Sequence, residues 1–224
     1  MEKHQFTDIE QEILTDFNSL IKNNNNITDG NVTVYFRDLK KHLLTHIDEY
    51  PIILGALAWM PNYDILATLV DKQCQLVIQK EGFLYSDREE KLSPLSLKMI
   101  KNVYAQLHFD FQTKHFSSHI YELTFDEIFS LEPIKCLGAY NKKLQHITPK
   151  MHHKFFIFAD FNAITNKIVP KAVWTGCVDT AWMPTNSLDS VIFIKSNVIA
   201  TSYLKEYENI YYLSESIDMN WITV

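Results

Sequence analysis

The spacing of apolar residues divides the chain into short alternating elements. From Asp8 to Lys22, Ile9, Ile13, Phe17 and Ile21 recur every four residues, which predicts an amphipathic helix suited to docking or dimerisation. A polar, turn-rich break follows at Asn23 to Asn26 and Asp29-Gly30-Asn31, and the core is expected to begin just after it. Val32 to Phe36 then reads as a short strand, and Arg37 to Glu49 as a helix with Leu39, Leu43, Leu44 and Ile47 on one face. Pro51 to Trp59 is continuously apolar over the length of a strand, the pattern of a strand buried on both faces. Asp64 to Asp71 reads as a short helix and Cys74 to Gln79 as a second strand. Strand, helix, strand predicts a βαβ unit in an α/β fold.

Further on, Pro94 to Leu107 has a helical pattern, while the rest of Tyr85 to Leu131 gives no clear period. Its histidines, His108, His115 and His119, are too irregularly spaced for a metal site and are expected to be structural or surface groups. Ile134 to Leu137 reads as a strand, Phe155 to Phe158 and Ala172 to Trp174 as a hairpin pair, Ser190 to Ile194 as another strand, and Ile199 to Tyr207 as a helix. No internal repeat is visible.

Composition narrows the setting. The chain has 224 residues, 46% hydrophobic, with 5 glycines and 7 prolines, enough for one substantial ordered core. Its three cysteines, Cys74, Cys136 and Cys177, form no CxxC and no zinc-spaced pair, so a reduced, cytoplasmic setting is expected and no metal or cofactor is called for. The amino terminus is acidic where a secretory signal would be basic, and the longest apolar run, Ile52 to Met60, is about half the length of a membrane helix. A formal net charge of −6 disfavours indiscriminate binding to nucleic acid. Yet seven lysines (Lys135, Lys142, Lys143, Lys150, Lys154, Lys167, Lys171) face a single acid, Asp160, between Pro133 and Thr175. That stretch is +6 and the remainder −12. Such a segment is either a solvated loop or a funnel for an anion.

Within it, Met151-His152-His153-Lys154 runs directly into the apolar Phe155-Phe156-Ile157-Phe158. Residues two apart in an extended chain share a face, which pairs His152 with Lys154 and turns His153 away. An imidazole can attack phosphorus, and an ammonium beside it can neutralise the nonbridging oxygens. A His-x-Lys alone is weak, because a chain with nine histidines can show one by chance. Its surroundings add weight: Lys171 to Asp179 downstream, then Asn186-Ser-Leu-Asp189 before an apolar strand, then a closing helix with Tyr203 and Tyr207.

This order, together with Tyr50 to Trp59, Ile65 to Leu69 and Leu76 to Glu81 upstream, resembles one repeat of the phospholipase D superfamily over about Val32 to Tyr211, nearest to its single-motif, nuclease-like bacterial branch. The resemblance implies a mixed β-sheet flanked by helices over residues 31–224, behind an N-terminal helical extension at 1–30. It assigns His152 as nucleophile or general acid, Lys154 as phosphate clamp and Asp189 as the acid that orients a histidine. Asp160 and Asp179 are further catalytic candidates, and Lys150, Lys171 and Cys177 are candidate substrate contacts. The chain departs from the family in three places: Ala159 holds the usual aspartate position with Asp160 one residue later, and Cys177 and Asp179 replace the serine and asparagine of Gly-Ser-x-Asn. A β-bulge would be needed to return Asp160 to the expected face. A carboxylate at Asp179 accepts hydrogen bonds where asparagine also donates them.

The expected activity is that of a metal-independent phosphodiesterase, first a nuclease acting on DNA or RNA through a phosphohistidine, with a homodimer supplying the second histidine. Tyr140, Trp174 and Trp182 are candidates to stack exposed bases. The alternatives are a catalytically degenerate module that binds phosphate, nucleic acid or a protein partner, and a phospholipid hydrolase whose interfacial surface would include Trp182-Met183-Pro184.

Overall fold

The computed structural model describes residues 23–58, 63–79, 99, 102–110, 132–141, 146–165, 167–176 and 188–217. The expected helix at Asp8 to Lys22 lies outside these, as do Trp59, most of the predicted Pro94 to Leu107 helix, His115, His119, Cys177, Asp179 and Trp182. Of the Pro94 to Leu107 segment, Asn102 to Tyr104 is helical.

The sheet starts earlier than the polar break suggests: β1 (Ile27–Asp29) pairs antiparallel with β2 (Val32–Tyr35) through the turn at Gly30. Helix α1 (Leu39–Glu49) begins after Asp38, which holds φ 56° and makes no side-chain cap. The apolar run forms β3 (Ile52–Leu57), buried at every position. Helix α2 (Tyr63–Leu69) carries the chain to β4 (Gln73–Gln79), which lies parallel to β3. This is the expected βαβ unit. Beyond it come β5 (Ile134–Asn141), β6 (His146–Lys150), β7 (Lys154–Asn162), β8 (Lys167–Gly176), β9 (Val191–Ile194), helix α3 (Asn197–Leu213) and β10 (Glu215–Ser216).

The strands form one mixed sheet in the order β1-β2-β9-β8-β7-β3-β4-β5-β10, with β6 paired to β5. β3, β4 and β5 are parallel, and β7 inserts antiparallel beside β3. Strict alternation divides the apolar residues between two cores. Ile53, Leu57, Phe156, Phe158 and Trp174 pack beneath α1 and α2 with Leu43, Ile47, Ile65 and Leu69. Ile52, Leu54, Phe155, Ile157 and Val173 pack beneath α3 with Ala200, Tyr207 and Ile210. Each face is therefore covered, and β3 must be apolar on both sides.

Several polar groups inside these cores are paired, whereas the buried Trp174 Nε1 has no hydrogen-bond partner among the described residues. His46 stacks on Phe193 at 3.7 Å between centroids, and its Nε2 lies 3.0 Å from the Tyr35 hydroxyl. Burial holds its pKa below the ordinary histidine value. The buried Tyr207 hydroxyl stands 3.1 Å from both the carbonyl and the side-chain oxygen of Gln75. Ser196 caps α3 by accepting from the Ile199 amide at 3.3 Å.

Glu208 on α3 is half-buried, and desolvation pushes its carboxyl from 4.5 up to about 7, with Lys205 opposing. A raised carboxyl pKa means that the native state keeps a proton which the unfolded chain releases between those values. Stability contributed by this group is therefore present below the lower value and is lost as pH rises through the upper one. Glu208→Gln is expected to stabilise the protein by about 1 kcal/mol above pH 8, after discounting for solvent screening. At pH 4 it should have no effect. Urea unfolding of both proteins at the two pH values checks this, and an equal effect at both would refute it.

Candidate active site

The carboxyl ends of β3, β4 and β5 point to one edge of the sheet. The antiparallel register brings the start of β7 there, with Leu57 opposite Lys154. It also brings the end of β8 and the start of β9, through Phe155 opposite Thr175 and Gly176 opposite Val191. Ligands of open α/β sheets gather at this kind of edge.

His152 lies here, exposed, in the extended segment just before β7. Its neighbours are tied down on both sides. The buried Met151 donates its amide hydrogen to Gln79 Oε1 at 2.6 Å, and the His153 carbonyl accepts from the Ala58 amide at 2.7 Å. An exposed side chain thus stands on a tethered backbone. Lys154 opens β7 half-buried, and its carbonyl accepts from the Thr175 hydroxyl at 3.5 Å. Because Phe156 and Phe158 pack under α1 and α2, alternation puts Lys154 on that face. His153 turns the other way, as its position predicts: its ring meets Phe155 edge-on at 5.6 Å, and its Nε2 lies 3.4 Å from Glu206 Oε1 on α3. Asp189 is half-buried two residues before β9. With β8 alone between β7 and β9, the start of β9 lies about 10 Å across the sheet from β7.

Other candidates are placed elsewhere. The sheet does carry a bulge near Asp160, but the extra residue is Lys171 on β8: Phe158 pairs with Ala172 and Ala159 with Pro170. Pro170, lacking an amide hydrogen, fits beside this irregularity. On β7 the pairing with β3 runs unbroken from Lys154 to Ala159, so its alternation is not reset. Asp160 lies six residues along the strand, roughly 20 Å from Lys154, and pairs with Lys171 at 3.6 Å. Both candidates belong to the opposite end of the sheet from His152. Asp160→Asn is accordingly expected to change any phosphodiester cleavage by less than about twofold and stability by under about 1 kcal/mol, since the pair is half-exposed. A tenfold loss of activity would put Asp160 back in the site. Lys150 is exposed one residue before Met151, at the correct edge. Trp174 is fully buried against Tyr35 at 5.4 Å, which removes it from base stacking. His108 pairs through its backbone with Gln73, and its ring lies 4.0 Å from Asp110.

The residue that sequence reasoning misses is Gln79. A signal was present: β4 is buried almost throughout, yet glutamines recur at 73, 75 and 79, all on one face. Polar groups in a buried strand need partners, and these have them, in Asp110, Tyr207 and Met151. Among the described residues, no group of three or more His, Cys, Asp or Glu could hold a metal ion.

No known family profile matches the chain. Uncharacterized protein L381 of Acanthamoeba polyphaga mimivirus is 30% identical over 210 residues, spanning 87% of this chain and 69% of that protein. Among solved structures, NucT from Helicobacter pylori matches 83% of this chain and 98% of its own with a TM-score of 0.51 at 10% identity. Nuc from Salmonella typhimurium, described as a phospholipase D family member, matches 82% of this chain and 95% of its own with a TM-score of 0.49 at 15% identity. No helix among the described residues is long and apolar enough to cross a membrane.

Proposed function

For a chain that belongs to one family with the mimivirus protein L381 and has the phospholipase D superfamily fold, we propose a metal-independent phosphodiesterase activity, directed first at nucleic acid. The observation that carries this reading is the exposed His152 on a clamped backbone, next to Lys154 at the carboxyl edge of the parallel strands.

The chemistry follows from these two side chains. The His152 imidazole attacks phosphorus, forming a P–N bond while the bond to the leaving oxygen breaks. The Lys154 ammonium balances negative charge on the nonbridging oxygens. The leaving oxygen takes a proton from a second imidazole, which then accepts one from the water that hydrolyses the phosphohistidine. One chain carries a single His-x-Lys, so the second imidazole is His152 of another copy across a twofold axis. Asp189 orients one of the rings. The lysine-rich stretch, with Lys150 exposed at this edge, supplies attraction for a polyanion.

Labelled single- and double-stranded DNA and RNA, incubated with the protein in EDTA, test the proposal. Cleavage that survives chelation is expected. Binding without turnover of any of these substrates would overturn it in favour of a phosphate-binding module, and turnover of phospholipid vesicles alone would replace the substrate class.

A further inference from the structure

Gln79 ends β4 with its side chain in the protein interior, 6% exposed, and is 72 residues from the amide that it binds. We infer that Gln79 is a positioning residue for His152, and that Gly138 is the residue that makes room for it. The inference rests on the reading of His152 as the nucleophile.

Three features converge. Gln79 Oε1 takes the Met151 amide hydrogen at 2.6 Å, a short bond in a buried setting where no water competes. Gly138 on β5 holds φ +130°, and a Cβ there would lie 2.5 Å from Gln79 Nε2, so the amide plane lies directly against the glycine backbone. The pairing of β5 with β6 slips between Gly138 and Tyr140, beside the Gly138 to Lys150 pair that leads into Met151. The slip sends the chain off β6 toward the Gln79 oxygen. With His153 held by Ala58, the two residues flanking His152 are fastened to the ends of β4 and β3, which lie parallel and adjacent. His152 gains a fixed origin without any bond to its own ring.

A side chain at 79 that cannot accept leaves the buried Met151 amide unpaired, and the segment must shift to find a partner. Displacement of a reacting group by about 1 Å can cost roughly 100-fold in rate. Gln79→Met, similar in shape but without the acceptor, is expected to lower kcat roughly 10- to 100-fold with KM within about twofold of wild type. Gln79→Glu keeps an acceptor oxygen and is expected to recover most of the rate.

Two readouts need no turnover: the deuterium exchange rate of the Met151 amide, and the ring resonances of His152 with and without tungstate as a phosphate mimic. In Gln79→Met the exchange is expected to quicken and the ring resonances to move. If that variant does not fold, Gln79→Asn withdraws the oxygen by one methylene and carries the same comparison. A variant with lowered thermal stability but unchanged kcat, exchange and ring resonances would show a merely structural role and overturn the inference. A wild-type protein that cleaves nothing would sink the proposed function instead, and the exchange and resonance comparisons would still decide whether Gln79 positions His152.

Discussion

Replacing His152 by asparagine is expected to abolish phosphodiester cleavage, a loss on the order of a thousandfold or more, while the melting temperature stays within about a degree of wild type. Asparagine is uncharged, cannot form the phosphorus–nitrogen intermediate and cannot return a proton to the leaving oxygen. Because the ring is exposed, its removal disturbs no packing. Mixed dimers give a sharper test. If every active site needs His152 from both copies, an equal mixture of wild type and His152→Asn refolded together should show about a quarter of the activity of the same total amount of pure wild type, whereas independent sites would show about half. A residual activity near one half would refute the two-histidine mechanism even if the variant by itself is dead.

Gly176→Val is expected to be the most damaging single change at the site edge. Gly176 closes β8 at φ +147°, and a Cβ there would lie 2.6 Å from the Ser190 carbonyl oxygen and 2.9 Å from the Val191 Cα. Both obstacles are backbone, so no rotamer change relieves them. β-Branching adds to the backbone strain, and a cost of about 3 kcal/mol or more is expected. The chain that must move is the start of β9, which carries Asp189 just ahead of it, so activity should fall together with stability. A urea midpoint within error of wild type would show that the edge accommodates a side chain after all.

How much of this could be seen in the sequence depends on the range of the cause. The doubly buried β3, the helix over α1, and the hairpin of β7 and β8 are written in local periodicity, because burial on one or both faces dictates which residues may stand there. β6, with a proline and mixed polar residues, and the two-residue β10 have no period to detect; they exist because β5 offers them a pairing edge. The pairing of His152 with Lys154 is an expectation from the rule that residues two apart on a strand share a face, and His152 stands just ahead of β7. Asp160 entered the candidates through its place in the motif, yet an extended strand carries each residue about 3.3 Å further from the edge. The buried glutamines of β4 could be seen as a signal, but the contact Gln79 makes could not, for the opposite reason. Its partner is distant in sequence, and only the parallel alignment of β3, β4 and β5 brings the two together.

The insertion of β7 between β3 and β8 also has a cost during synthesis. β3 leaves the ribosome with six apolar residues in a row along its pairing edge, and the strand that covers this edge is made roughly 100 residues later. At 5 to 20 residues per second, a nascent chain therefore carries an open, sticky strand for roughly 5 to 20 seconds. Fragments that end before β7 should aggregate, and the cell that makes this protein must hold the half-made sheet apart from others until the segment bearing His152 arrives to seal it.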